Sequence, residues 1–85
     1  MKFARFAGFT MSREFFTRVI DAAEAIVDNK TVRVEYNDFY SEGLKCVDLI
    51  HMLQVYVNDC IEVRNRKVYA EMISGTGAYR FKLSR

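Results

Sequence analysis

Residues 67–83 read KVYAEMISGTGAYRFKL, two strand-like runs joined by a short glycine-containing loop. In the second run Tyr79, Phe81 and Leu83 alternate with Arg80 and Lys82. A period of two marks a strand with one covered face and one wet face. The loop Ser74-Gly75-Thr76-Gly77 invites comparison with a phosphate cradle. Such a cradle needs a Lys-Ser/Thr pair and a helix directly after it, because the helix amides hold the phosphate. A strand pattern follows instead, so the loop is expected to be a hairpin connection in which Gly75 and Gly77 take positive φ.

Upstream, residues 2–9 (KFARFAGF) alternate as one strand. Ser12 reads as a helix N-cap, with Glu14 in the first turn where the helix dipole favours an acid. Phe15, Phe16, Val19, Ile20, Ala23, Ile26 and Val27 then recur at helical spacing, and Asn29 ends the run. Thr31–Tyr36 reads as a strand, Asn37-Asp38 as a turn, and Phe39–Lys45 as an irregular strand. Asp48 is expected to cap a second helix carrying Leu49, Ile50, Leu53, Tyr56 and Val57, with Asn58-Asp59 closing it. A strand is expected at Cys60–Arg64. The order β-α-β-(β)-α-β-β-β predicts an α+β two-layer sandwich, a mostly antiparallel sheet with two helices on one face. One domain is expected to span 1–85. Val32, Val34, Ile61, Val63, Phe81 and Leu83 are assigned to the helix-facing side with Tyr79. Arg33, Arg64, Arg80 and Lys82 are then assigned to the opposite face, joined by Arg5 from the first strand. A one-residue slip of register reverses each assignment.

Charge is unevenly laid out. Residues 1–13 carry Lys2, Arg5 and Arg13 and no acid, for +3. Residues 14–62 carry ten acids against Arg18, Lys30, Arg33 and Lys45, for −6. Residues 63–85 carry six cations against Glu71 alone, for +5. A chain with a net charge of only +2 would therefore own a positive face if its two ends share a sheet. Charges interrupt each apolar run, which excludes a membrane-spanning helix. No secretion signal precedes the first alternating segment, and a cytoplasmic protein is expected. Cys46 and Cys60 form no disulfide framework and are expected to be reduced.

Catalytic signatures are absent from the pattern. His51 is the sole histidine, and with Cys46 and Cys60 it supplies too few ligands for a structural metal site. An enzyme reading would have to build on His51, Asp48 and one cysteine. No cofactor motif is present, and no catalytic or metal-binding residue is assigned. The basic strands carry the stronger signal. Single-stranded nucleic acid is held by cations that track phosphates and by aromatics on which bases stack. Arg5, Arg33, Arg64, Arg66, Lys67, Arg80 and Lys82 are the expected phosphate contacts, with Tyr69 and Tyr79 as stacking platforms. The pattern of an RNA-recognition motif is missing, so backbone-dominated, salt-sensitive binding is expected.

Two resemblances accompany this reading. The stretch TVRVEYNDFYSEGLKCVDLIHMLQVYVNDCIEVRNR resembles the middle of an HPr-type phosphocarrier in its order of strand, turn, strand, helix, strand. That family keeps a phosphorylated histidine followed by Ala-Arg-Pro, where this chain has Thr10-Met11-Ser12. The resemblance therefore implies a protein–protein module without phosphocarrier activity. A compact, proline-free chain starting MKFARFAGF also resembles the small early proteins of T-even phages. Among these are inhibitors of endoribonuclease toxins from type III toxin–antitoxin systems, in which RNA takes part. The second resemblance implies a viral, non-enzymatic RNA-binding or RNA-assisted inhibitor acting in the host cytoplasm. Its partners would be RNA and a basic protein such as a ribonuclease toxin, with no membrane. The exposed last strand is expected to allow a homo-oligomer by edge pairing.

Overall fold

A computed structural model describes residues 2–85. A hairpin of β1 (Phe3–Phe6) and β2 (Phe9–Ser12) leads into helix α1 (Arg13–Val27). Strand β3 (Val32–Glu35), the short helix α2 (Tyr36–Tyr40) and helix α3 (Cys46–Asn58) follow. Strands β4 (Val68–Ile73) and β5 (Ala78–Leu83) close the fold. The three later strands make an antiparallel sheet in the order β3-β5-β4, while β1 and β2 pair only with each other. The fold is α+β, with the helices packed on one face of the three-stranded sheet.

The amphipathic stripe of α1 buries Phe15, Val19, Ala23 and Ile26 as its spacing predicts. These meet Leu49, Met52, Leu53 and Val57 from α3 and Phe81 from the sheet in one apolar cluster. Burial of such side chains is the main favourable term in folding, about 1.5–3 kcal/mol each. Both ends of α1 are closed. At its C-terminus Asn29 sits at φ 65, the left-handed conformation that Asn tolerates better than most residues. There the Lys30 N–H donates to Ala25 O (3.0 Å) and the Asn29 N–H to Ile26 O (2.9 Å).

At the N-terminus Ser12 Oγ accepts from the Phe15 N–H (3.2 Å), as expected. A second partner arrives from thirty residues downstream. The Ser12 N–H donates to Glu42 Oε1 and the Ser12 hydroxyl to Glu42 Oε2, both at 2.8 Å. Glu42 thus plays the part that a glutamate three residues into the helix plays in a local capping box. Glu42→Ala is expected to lower the unfolding free energy by about 1.5–3 kcal/mol, because the bonds are charge-assisted and half-buried. Ser12→Ala alone should cost about 1 kcal/mol. Urea denaturation of both and of the double variant should give less than the sum, since one network is cut twice.

Several expected elements take a different form. Residues 2–9 are not one strand but β1 and a turn into β2, because Ala7 and Gly8 adopt φ 54 and 88 and turn the chain back. The basic ends of the chain therefore do not share one sheet. Phe39–Lys45 is not a strand. Residues 36–40 wind into α2, which sends Phe39 into the core at 0% exposure and leaves Tyr36 and Tyr40 outside. Helix α3 starts at Cys46 rather than at Asp48, whose carboxylate accepts from the Lys45 N–H (2.8 Å). Cys60–Arg64 forms successive turns, with Val63 N–H donating to Cys60 O (3.1 Å) and Arg66 N–H to Val63 O (2.9 Å). Val63 is buried there, but Ile61 is 77% exposed and faces no helix. The strand–turn–strand–helix–strand order behind the HPr resemblance is thus strand, helix, helix and turns. Finally, β5 is the central strand and has no free edge.

Candidate nucleic-acid interface

The register of the sheet decides which side chains share a face. Arg80 stands opposite Arg33 on one side and Glu71 on the other, and Lys82 stands opposite Tyr69. Arg33, Glu35, Tyr69, Glu71, Arg80 and Lys82 therefore project together from the outer face. Val32, Val34, Val68, Tyr79, Phe81 and Leu83 point toward the helices. Alternation alone had assigned Arg33, Arg80 and Lys82 to the outer face, and they are there.

Tyr79 is not with them. Its ring lies 5.8 Å from Phe39 and 6.3 Å from Phe81, centroid to centroid, on the inner side. Tyr69 and Tyr79 cannot form one stacking platform. Arg5 lies on β1, opposite Thr10 in the separate hairpin, and does not extend the outer face. Arg64 is exposed in the turns before β4 rather than on a strand. Arg66 and Lys67 lie just before β4, tied to the other end of the sheet. Ser84 N–H donates to Lys67 O (2.8 Å), Lys67 N–H donates to Ser84 Oγ (3.0 Å), and Arg66 Nε donates to Ser84 O (2.7 Å).

The side chain of Gln54 on α3 fixes that segment from behind. Its Nε2 donates to Arg66 O (3.0 Å) and its Oε1 accepts from the Val68 N–H (2.8 Å). The chain on both sides of Lys67 is thereby anchored to a helix, which sets the direction of Arg66.

The outer face is less positive than a count of its arginines implies. Arg33 pairs with Glu35 at 3.1 Å. Glu71 Oε1 holds both Arg80 Nη1 (3.3 Å) and Lys82 Nζ (3.4 Å). Hydrogen bonding to Lys82, then its charge and that of Arg80, hold the Glu71 carboxyl below its ordinary value. Tyr69, then Glu71, push the Lys82 ammonium above its own. The lowered Glu71 contributes stability above its unfolded pKa, lost as pH falls through the folded value. The raised Lys82 contributes below its unfolded pKa, lost as pH rises through the folded one. The cluster is thus fully charged near neutrality. The Lys82 ammonium also lies 5.4 Å from the Tyr69 ring centroid, a cation–π contact.

Cationic side chains collect at one end of the sheet, and among the described residues Lys82 alone of them is paired with a carboxylate, that of Glu71. A shallow depression of about 570 Å³ is lined by Asn29, Thr31, Arg66, Tyr69, Lys82, Leu83 and Arg85. Three cations, an amide, a hydroxyl and a phenol meet there with no carboxylate in the wall. Sequence reasoning passed over Arg85, Asn29 and Thr31. Arg85 lies outside the alternating run, and the other two come from the connection between α1 and β3. A second cavity, about 340 Å³, opens between α1 and β3 and is walled mainly by apolar groups such as Phe15, Val19, Leu53 and Phe81. It is unsuited to phosphate.

The remaining sequence candidates do not assemble. Asp48 is engaged at the start of α3, and His51 is exposed with its ring edge-on to Phe9, centroids 6.0 Å apart. Burial pushes the Cys46 thiol up, away from the thiolate that a nucleophile requires. Among the described residues no cluster of three His, Cys, Asp or Glu is placed to hold a metal ion, and no helix is long and apolar enough to cross a membrane. The Ser74–Gly77 loop connects β4 to β5, with Thr76 Oγ1 donating to Ile73 O (2.7 Å) and accepting from the Ala78 N–H (3.2 Å). No protein family, curated protein or solved structure matches the chain.

Proposed function

We propose that this protein is a non-enzymatic, single-stranded RNA-binding protein that grips the phosphate backbone at the Arg66–Lys82–Arg85 end of its sheet. The observation that carries the reading is the acid-free depression lined by those three cations and Tyr69. Arg33 and Arg80 stand on the same outer face and extend the path for a strand, and Tyr69, 40% exposed, lines the depression itself. Contacts of this kind hold backbone and are blunt to sequence.

A second surface supports the RNA-assisted inhibitor reading. Asp38, Glu42, Asp48 and Glu35 are spent on Arg18, Ser12, Lys45 and Arg33. The exposed acids left on α1 and its C-cap are Glu14, Asp21, Glu24 and Asp28, at helical spacing along the side turned from the sheet. A basic protein such as a ribonuclease toxin would engage this side while RNA occupies the other. That division fits a viral factor that disarms a host nuclease in the cytoplasm.

Electrophoretic retardation of an unstructured RNA at low and moderate salt tests the RNA role. Retardation at low salt that weakens steeply with added salt is expected; its absence at low salt would sink the reading. Glu71→Gln gives a sharper check, because it keeps the side-chain shape and releases Arg80 and Lys82. Affinity for RNA should rise about two- to fivefold, in keeping with the modest strength of exposed ion pairs. A fall in affinity would mean that Glu71 organises the site rather than competing for it.

A further inference from the structure

We infer that two copies of this chain pair through β4 about a twofold axis at Ala70, making one continuous six-stranded antiparallel sheet. The directions of the β4 backbone groups follow from its pairing with β5. Ser84 N–H donates to Lys67 O, so Lys67 and, by alternation, Tyr69, Glu71 and Ile73 direct their amides and carbonyls to β5. Val68, Ala70 and Met72 direct theirs outward. The Val68 N–H is met by Gln54, as its outward direction requires. Among the described residues, nothing meets the N–H and C=O of Ala70 or of Met72.

This edge lacks the usual protections. It runs for six residues without a proline or a bulge, its only charge is Glu71, and Met72 stands 67% exposed beside it. Unprotected edges of this kind are templates for another strand. The other edge, β3, is four residues long and carries the Arg33–Glu35 pair.

The strand complements a second copy of itself. With Ala70 on the axis, the two Ala70 residues exchange both backbone bonds, and each Met72 N–H reaches the Val68 C=O of the second copy. On the outer face Tyr69 then stands opposite Glu71 of the second copy, and on the inner face Met72 is covered beside Val68 of the second copy. Placing Glu71 on the axis would form as many bonds but set two carboxylates directly opposite each other, which is destabilising. Charge therefore selects the Ala70 axis. In that dimer the two outer faces become one surface, with a cationic depression toward each far end.

Light scattering coupled to size exclusion tests this without RNA, so its failure is distinct from failure of the RNA reading. At high micromolar concentration the mass should be twice 9.9 kDa. Ala70→Pro removes an amide that faces away from β5, and Met72→Lys places a charge on the edge; each should give a monomer with an unchanged circular dichroism spectrum. A monomeric wild type, or a dimer that survives both substitutions, would overturn the proposal. The axis is tested in a chain with Cys46→Ser and Cys60→Ser. Ala70→Cys should crosslink on oxidation, since facing residues of such a pair lie about 5.5 Å apart at Cα, within disulfide range. Crosslinking by Glu71→Cys in place of Ala70→Cys would overturn the assigned register.

Discussion

Replacing Arg66, Lys82 and Arg85 together by alanine is expected to weaken binding to unstructured RNA by about a hundredfold or more at low salt. The three cations line one depression with no acid in its wall, and among the described residues only Lys82 of the three has a carboxylate partner, Glu71 at 3.4 Å. Each phosphate contact on a single strand contributes about 0.7 to the slope of log affinity against log salt. Loss of three should flatten that slope by about two. Arg66 also holds Ser84 through its Nε, so a structural loss must be told apart from a loss of charge. Arg66→Lys keeps the charge and gives up the Nε bond; its affinity should stay near wild type. Replacing Arg33 and Arg80 together should do much less, because Glu35 and Glu71 already occupy them. If the triple variant keeps the wild-type salt slope, phosphate is not bound at this end of the sheet.

Phe81→Ala is expected to cost about 3–5 kcal/mol, the range for a fully buried aromatic whose removal leaves a cavity. Phe81 has 0% exposure, lies on the central strand, and meets the apolar faces of both long helices. Its two cross-strand neighbours are Val32 and Ala70, so no larger side chain beside it in the sheet can collapse into the space. Domains of this size hold about 5–15 kcal/mol in total, and the variant should begin to unfold at a fraction of the wild-type urea midpoint. Phe81→Leu, which keeps most of the volume, should recover more than half of the loss. An alanine variant with a midpoint near wild type would show that the core centres elsewhere.

Legibility from sequence divides along physical lines. Helix α1 was legible at both ends, because its stripe is long and Ser12 and Asn29 are residues with a strong positional preference. The faces of β3 and β5 were legible because alternation of charge and apolar groups is a local signal. The β1–β2 hairpin was not, since Ala-Gly is a weaker turn signal than Asn-Gly. Helix α2 was hidden as well. Tyr36-Asn37-Asp38-Phe39-Tyr40 has little helix propensity, and the demand to bury Phe39 while exposing two tyrosines overrides it. In the candidate site, the sign of the charge was legible and its compensation was not. That Glu71 reaches two cations at once depends on register, whereas the inward turn of Tyr79 was legible in its alternation with Arg80, and its place among the stacking platforms ran against that alternation.

The strand order has a consequence for the order of synthesis. Both β3 and β4 pair only with β5, which occupies residues 78–83. While the ribosome is still adding those residues, neither of the earlier strands has a sheet partner within its own chain. The hairpin and α1 can form as the chain emerges, at about 5–20 residues per second, but the sheet and the face it presents are assembled afterwards, in a single step. During that interval β3 and β4 stand ready to accept a strand from elsewhere.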